Sequence, residues 1–201
     1  MRAQMHGLLP DHSRAALLIL DMISDFQFPD GPKVRHAASR IAPRIAALKK
    51  RAKKAGVACI YINDNPGRWR SDRRALIEHC VQPGAPGADI VERLRPEESD
   101  YFILKPRHSA FYATPLEVLL THLGTRRLIL TGVSSHQCVL FTANDAHVRN
   151  LQMIVPSDCV AGPTTHDTRF ALHYFHSVLG ARVTPSSTLR PTALNRTREI
   201  R

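Results

Sequence analysis

Residues 128–146 read LILTGVSSHQCVLFTANDA. The apolar string Arg127–Thr131 gives way through Gly132 to a stretch of helical period, His136–Arg149, and a strand that turns into a helix in this way is half of a parallel crossover. The same grammar recurs on both sides. Apolar strings at Ala15–Leu20, Val57–Ile62, Tyr101–Leu104, Leu151–Val155 and, more weakly, Ala181–Thr184 alternate with helical stretches at Val34–Ala55, Ala88–Leu94, Pro115–Leu123 and Thr165–Leu179. Strands covered on both faces are apolar throughout rather than alternately, which is how these strings read. Gly56, Gly124 and Gly180 stand where left-handed helix caps belong. Pro43 falls inside the first helical stretch, where it predicts a kink or a later start. The pattern predicts an α/β fold: a single-domain three-layer α/β/α sandwich around a six-stranded parallel sheet over residues 14–186, with 1–13 and 187–201 as loosely attached ends.

The 201 residues are enough for one sizeable core. No uninterrupted apolar run exceeds six residues, whereas a bilayer span needs ~20, so a membrane-spanning helix is excluded. Residues 1–14 lack the apolar stretch of about 7–15 residues that marks a secretory signal. The four cysteines, Cys59, Cys80, Cys138 and Cys159, show no CxxC spacing, so the expectation is a cytoplasmic protein with free thiols. Net charge is +11, with a pI near 10.2, which could be the footprint of a nucleic-acid binder. The densest basic cluster, Lys49-Lys50-Arg51 with Lys53 and Lys54, falls at the end of a predicted helix, where cations suit the macrodipole. Charge alone is not specific, and nucleic acid is not the expected partner.

Ligands of open parallel sheets bind beyond the C-terminal ends of the strands. Those positions hold Asp21, then Asn63-Asp64-Asn65, then Lys105, then Gly132 to Cys138, then Asp158. A carboxylate, an ammonium and a thiol delivered to one sheet edge make a nucleophile kit. A thiol with a pKa of ~8.5 attacks well only when a base takes its proton or a cation stabilises the thiolate. Asp21 offers the base, Lys105 the cation, and the start of the following helix offers amides to an oxyanion. The turn after the first string reads DMISDF, without the GxGxxG that a nucleotide-binding dehydrogenase would carry there.

Three pieces of local wording, LLILDMISDF around Asp21, ILKPRHSAF around Lys105 and the opening stretch around Cys138, together resemble the isochorismatase-like cysteine hydrolases. That family includes nicotinamidases, N-carbamoylsarcosine amidase, ureidoacrylate amidohydrolases and isochorismatase. The resemblance implies that Asp21 is the general base, that Lys105 supports the nucleophile and that Cys138 attacks a carbonyl. It further implies a cis peptide at Val133-Ser134, backbone amides of Ser134 and Cys138 as the oxyanion hole, and a homo-oligomer.

The chain departs from nicotinamidases in their metal-binding Asp-x-His…His set: Asp64 is retained, but Asn65, Pro66 and Gly67 follow where histidine should appear. No metal and no cofactor are therefore expected, and Asp64 reads rather as a cap or turn residue of the Asn63–Gly67 loop. Isochorismatase works on a vinyl ether without the cysteine, so Cys138 favours C–N cleavage of a small amide or ureido compound. Phe26, Asn63, Trp69 and Phe111 are the expected substrate contacts, with Tyr112 beside them, and His136 is the one histidine near the nucleophile. Arg68, Arg70 and Arg107 would suit a carboxylate-bearing substrate or an anionic partner. The alternative is a non-catalytic binding module that holds an anionic partner on its basic surface, but such a module has no need to keep thiol, base and cation together.

Overall fold

The structure, a computed structural model, describes residues 12–65 and 71–194. The chain runs β1 (Ala15–Leu20), α1 (Gly31–Lys54), β2 (Ala58–Asp64), α2 (Arg73–Cys80), α3 (Ala88–Arg93), β3 (Tyr101–Lys105), α4 (Leu116–Leu123) and β4 (Arg127–Val133). A π-helical turn, Ser135–Val139, leads into α5 (Leu140–Val148), then β5 (Gln152–Pro156), β6 (Val160–Ala161), α6 (Thr165–Ser177), β7 (Arg182–Thr184), a 3-10 turn over Ser186–Thr188, and α7 (Pro191–Leu194).

All strand pairs are parallel, in the order β3-β2-β1-β4-β5-β7, with β6 beside the end of β4. β1 is central, and its six residues are wholly buried. Their alternation divides the interior in two. Ala15, Leu17 and Ile19 face a core built with α1, α2 and α3, whereas Ala16, Leu18 and Leu20 face a core built with α4, α5 and α6. That is the three-layer arrangement the apolar strings predicted.

The sheet has seven strands rather than six. β6 pairs Gly132 with Val160 and Val133 with Ala161, and two residues are too few to show a period in sequence. Helix α2 was also not anticipated; the carboxylate of Asp72 caps it by accepting from the Ala75 amide at 2.8 Å. Pro43 neither delays nor ends α1, which begins at Gly31 with proline in its first turn and carries Pro43 on its exposed side. Gly56, Gly124 and Gly180 adopt the left-handed conformation expected of caps, with φ of 68°, 68° and 63°. Residues 187–194, which the sequence reading put in a loose end, lie against α1: Arg51 donates to the carbonyls of Ser186 and Leu189 at 2.8 and 3.0 Å, and Leu189 is buried. Residues 1–11 and 195–201 of the two ends lie outside the described residues. No helix among the described residues is long and apolar enough to cross a membrane.

Candidate active site

Four neighbouring strands end together. The parallel register sets Asp64, the last residue of β2, opposite Lys105, the last of β3, and sets Leu20, the last of β1, opposite Ile62 and Gly132. Beyond Leu20 the chain turns sharply at Asp21, whose φ is 52°. The turn is held by the Asp21 amide donating to the Ile62 carbonyl at 2.9 Å and by the Asp64 amide donating to Asp21 Oδ1 at 2.9 Å. At the end of β4, Gly132 has φ 111°, and a Cβ there would lie 2.0 Å from the Leu20 carbonyl oxygen, so only glycine lets the two strands close. The Val133-Ser134 peptide is cis, as the sequence resemblance implied. The π-helical turn then presents Cys138.

Lys105 binds these ends into one cluster. Its Nζ is wholly buried, lies 3.0 Å from Asp21 Oδ2 and 3.4 Å from Cys138 Sγ, and contacts Asp64 Oδ1. The three residues expected to act together are thus within hydrogen-bond or ion-pair reach at the C-terminal sheet edge. The loop after Lys105 is pinned to the turn that carries Cys138 by Thr142, whose hydroxyl donates to the Cys138 carbonyl at 2.7 Å and accepts from the Ala110 amide at 3.0 Å.

Burial raises the Asp21 carboxyl above its ordinary value, more than the adjacent Lys105 lowers it. Burial opposes the Lys105 ammonium, but Asp21, Cys138 and Asp64 outweigh it, so the lysine is firmly charged. Burial and the Asp21 charge push the Cys138 thiol up despite Lys105. The resting sulfur is therefore S–H, and Lys105 alone does not generate a thiolate. A nucleophilic role for this sulfur would call for a base, and Asp21, with its raised affinity for a proton, is better matched to a thiol than an ordinary carboxylate is. Burial, together with nearby carboxylates, pushes the buried thiols of Cys59, Cys80 and Cys159 up to about 12, and the Cys159 sulfur lies 3.8 Å from Asp158 Oδ1.

Above the cluster lies a cavity of about 580 Å³, lined among others by Asp21, Asp64, Phe26, His108, Ser134 and Cys138. Phe26 is in it, as expected. Asn63 is not: it is buried under the β1–α1 loop, where its Oδ1 accepts from the Ile23 amide at 3.0 Å, which makes it a strap rather than a substrate contact. Phe111 also falls elsewhere, because its ring belongs to the core on the α4–α6 side and stacks under the Arg149 guanidinium at 4.7 Å. Tyr112 and Arg107 are exposed, and neither lines the cavity. His136 lies on the π-helical turn, also outside the cavity lining. Trp69, Arg68 and Arg70 lie outside the described residues.

Sequence reading missed the part played by four residues. Asp64 is an ion-pair partner of Lys105 and not merely a turn residue. His108 brings Nδ1 to 3.8 Å from the sulfur and rests its ring on Phe141; in ILKPRHSAF it looked like part of a polar loop. Asp25 and His79 also line the cavity as a pair, with Nε2 and Oδ2 2.8 Å apart. Asp21, Asp64 and Cys138 are the one trio of potential metal ligands within reach of each other among the described residues, but the Lys105 ammonium already contacts all three. That arrangement does not fit a divalent cation, because the cation would have to displace a buried ammonium of the same sign.

A family model for the isochorismatase domain matches residues 15–187. The Bacillus subtilis isochorismatase family protein YaaI is 41% identical over 169 residues, covering 84% of this chain and 92% of that protein. Enterobactin synthase component B of Escherichia coli is 32% identical over 185 residues, which are 90% of this chain and 64% of the longer relative. Among solved structures, N-carbamoylsarcosine amidase from Thermoplasma acidophilum matches with a TM-score of 0.67 at 26% identity, over 88% of this chain and 98% of that one. The pyrazinamidase/nicotinamidase of Streptococcus mutans matches with a TM-score of 0.65 at 27% identity, over 84% and 99% of the two chains.

Proposed function

The chain belongs to the isochorismatase family, and from that premise we propose that it is a cysteine hydrolase cleaving the C–N bond of a small amide or ureido compound through a thioester. The observation that carries the reading is the Lys105 ammonium, 3.0 Å from Asp21 Oδ2 and 3.4 Å from Cys138 Sγ at a cavity of about 580 Å³. A buried core cysteine has no use for a charged lysine and a carboxylate at its sulfur, because burying those charges is costly unless they do something there.

In this reading Asp21 takes the proton of Cys138 as the sulfur attacks the substrate carbonyl. Lys105 offsets the negative charge that passes between thiolate and carboxylate, and the backbone amides of Ser134 and Cys138 receive the oxyanion. Collapse of the tetrahedral intermediate expels an amine or ammonia, which leaves with the proton from Asp21. Water then attacks the thioester with Asp21 again as base, releasing the acid and the thiol. No step calls for a metal. Two of the similar structures are amidases by name, which supports C–N rather than vinyl-ether chemistry. The reading includes a homo-oligomer working in the cytoplasm, which sizing chromatography tests: a clean monomer of 22.5 kDa counts against it.

The decisive experiment compares wild type with Cys138→Ala on a panel of primary amides and ureido compounds, together with mass spectrometry of the quenched enzyme. Wild type accumulates an acyl adduct on Cys138, and the variant has no turnover. Unchanged amidase activity in Cys138→Ala ends the proposal.

A further inference from the structure

The cavity is acidic within a basic protein. The chain carries +11, yet the described residues lining the cavity include Asp21, Asp25 and Asp64 and no lysine or arginine. The one nearby ammonium, Lys105, is wholly buried and already shared among Asp21, Asp64 and the sulfur. Asp25 and His79 come from the β1–α1 loop and from α2 rather than from the strand ends. Asp25 Oδ1 accepts from the Gln27 amide at 3.0 Å, and Oδ2 faces His79 Nε2 at 2.8 Å. Burial works against the Asp25 carboxylate, but the Gln27 amide and His79 hold it below its ordinary value. An ionised Asp25 makes Nε2 the donor of the pair. Nδ1 makes no hydrogen bond among the described residues. Ile23, Phe26, Val34 and Leu76 add apolar wall.

We propose that the Asp25–His79 pair is the specificity-determining pole of the cavity, receiving the hydrogen-bond-donating end of an uncharged or cationic amide and turning away carboxylate-bearing ones. The proposal rests on the amide-hydrolase reading and narrows it; of the arginines that would suit a carboxylate-bearing substrate or an anionic partner, Arg107 is outside the cavity lining, and Arg68 and Arg70 lie outside the described residues. Among the described residues a carboxylate entering here would meet Asp21, Asp25 and Asp64 and no arginine fork, whereas an ammonium or amide N–H would meet acceptors.

The test uses two methanethiosulfonates of similar size on the full chain, the cationic 2-aminoethyl and the anionic 2-sulfonatoethyl reagent. Each forms a mixed disulfide with Cys138 and releases methanesulfinate, so the readout needs no turnover and is independent of whether amides are hydrolysed. The rate ratio, cation over anion, is measured at the Cys138 peptide by mass spectrometry and divided by that of free 2-mercaptoethanol. The expected normalised ratio is about ten or more at low salt, and Asp25→Asn lowers it about fivefold, as removal of one nearby charge acts oppositely on the two reagents. The asparagine side chain of that variant can still accept from the Gln27 amide, so the loop is retained. His79→Gln provides a second variant, in which the cationic preference persists while binding of benzamide to the Cys138→Ala background weakens. Glu117→Gln on α4, remote from the cavity, leaves the ratio unchanged. A normalised ratio of one or below, a ratio insensitive to Asp25→Asn, or failure of both reagents to reach Cys138 each overturns the proposal. Loss of amide turnover with the ratio intact would sink the hydrolase reading instead.

Discussion

Replacing Lys105 by methionine removes the charge that three groups share while keeping a side chain of similar length. Lys105 is wholly buried, and its partners differ in their access to water: the Asp21 side chain is 13% exposed and that of Asp64 is 56%. Asp64 can therefore rehydrate, and the penalty falls on Asp21. Removing one partner of a buried pair costs about 3–5 kcal/mol, and the partial exposure of the cluster places the expected loss near the lower end, about 3 kcal/mol at neutral pH. Typical domains are stable by about 5–15 kcal/mol, so Lys105→Met should still fold.

The loss should depend on pH with a definite sign. The folded-state affinity of Asp21 for a proton, already raised above its ordinary 3.8 by burial, rises further once the lysine that lowers it is gone. A group with a raised folded-state pKa contributes stability below its unfolded value and loses it as pH rises through the folded value. The deficit of Lys105→Met should be smallest near the ordinary carboxylate range and grow toward pH 7. Adding Asp21→Asn removes the stranded charge and should recover most of the loss, because Asn tolerates the positive φ of 52° and its Oδ1 can still accept from the Asp64 amide. Urea denaturation of the two variants and wild type, followed by circular dichroism at pH 4.5 and 7.5, measures all of this. Equal stability of Lys105→Met and wild type at pH 7.5, or no rescue by Asp21→Asn, would refute the claim that the cluster is held by this charge.

Three further outcomes are expected. Asp21→Asn alone should melt within a few degrees of wild type yet lose about 10²–10⁴-fold in kcat/KM, and the acid limb of the wild-type pH profile should lie above the ordinary carboxylate range because burial raises Asp21; a limb at or below that range contradicts the assigned base. Gly132→Ala should destabilise by at least about 3 kcal/mol, seen as a fall in Tm of about 6–12 °C, since its Cβ would stand 2.0 Å from the Leu20 carbonyl; an unchanged Tm means the strands close differently. Activity should survive dialysis against a chelator, because Lys105 occupies the space between Asp21, Asp64 and Cys138; stoichiometric zinc, iron or manganese, with activity lost on its removal and restored by its return, would show otherwise.

The layered α/β architecture was legible because its signals are local. An unbroken apolar string such as Ala15–Leu20 can be satisfied only by cover on both faces, and a glycine after a helical stretch, as at Gly124 or Gly180, marks a cap whatever lies around it. The convergence of Asp21, Lys105 and Cys138 was legible for a different reason: each lies at or just beyond the C-terminal end of a strand, and parallel strands put those ends on one edge. β6 and α2 escaped because two residues, or eight without a clear stripe, carry too little periodicity. Which of the other strand-end side chains turn into the cavity could not be read from the sequence. Asn63 and Asp64 are adjacent in sequence and, being in a strand, point to opposite sides, so one became a strap under the β1–α1 loop and the other an ion-pair partner of Lys105. Phe26 and Phe111 are both aromatic neighbours of catalytic motifs, yet they sit in different cores because β1 and β3 lead to helices on opposite faces of the sheet. Asp25 and His79 meet across a separation of 54 residues. Contacts of that range depend on how the layers pack against one another, which composition, period and spacing do not encode.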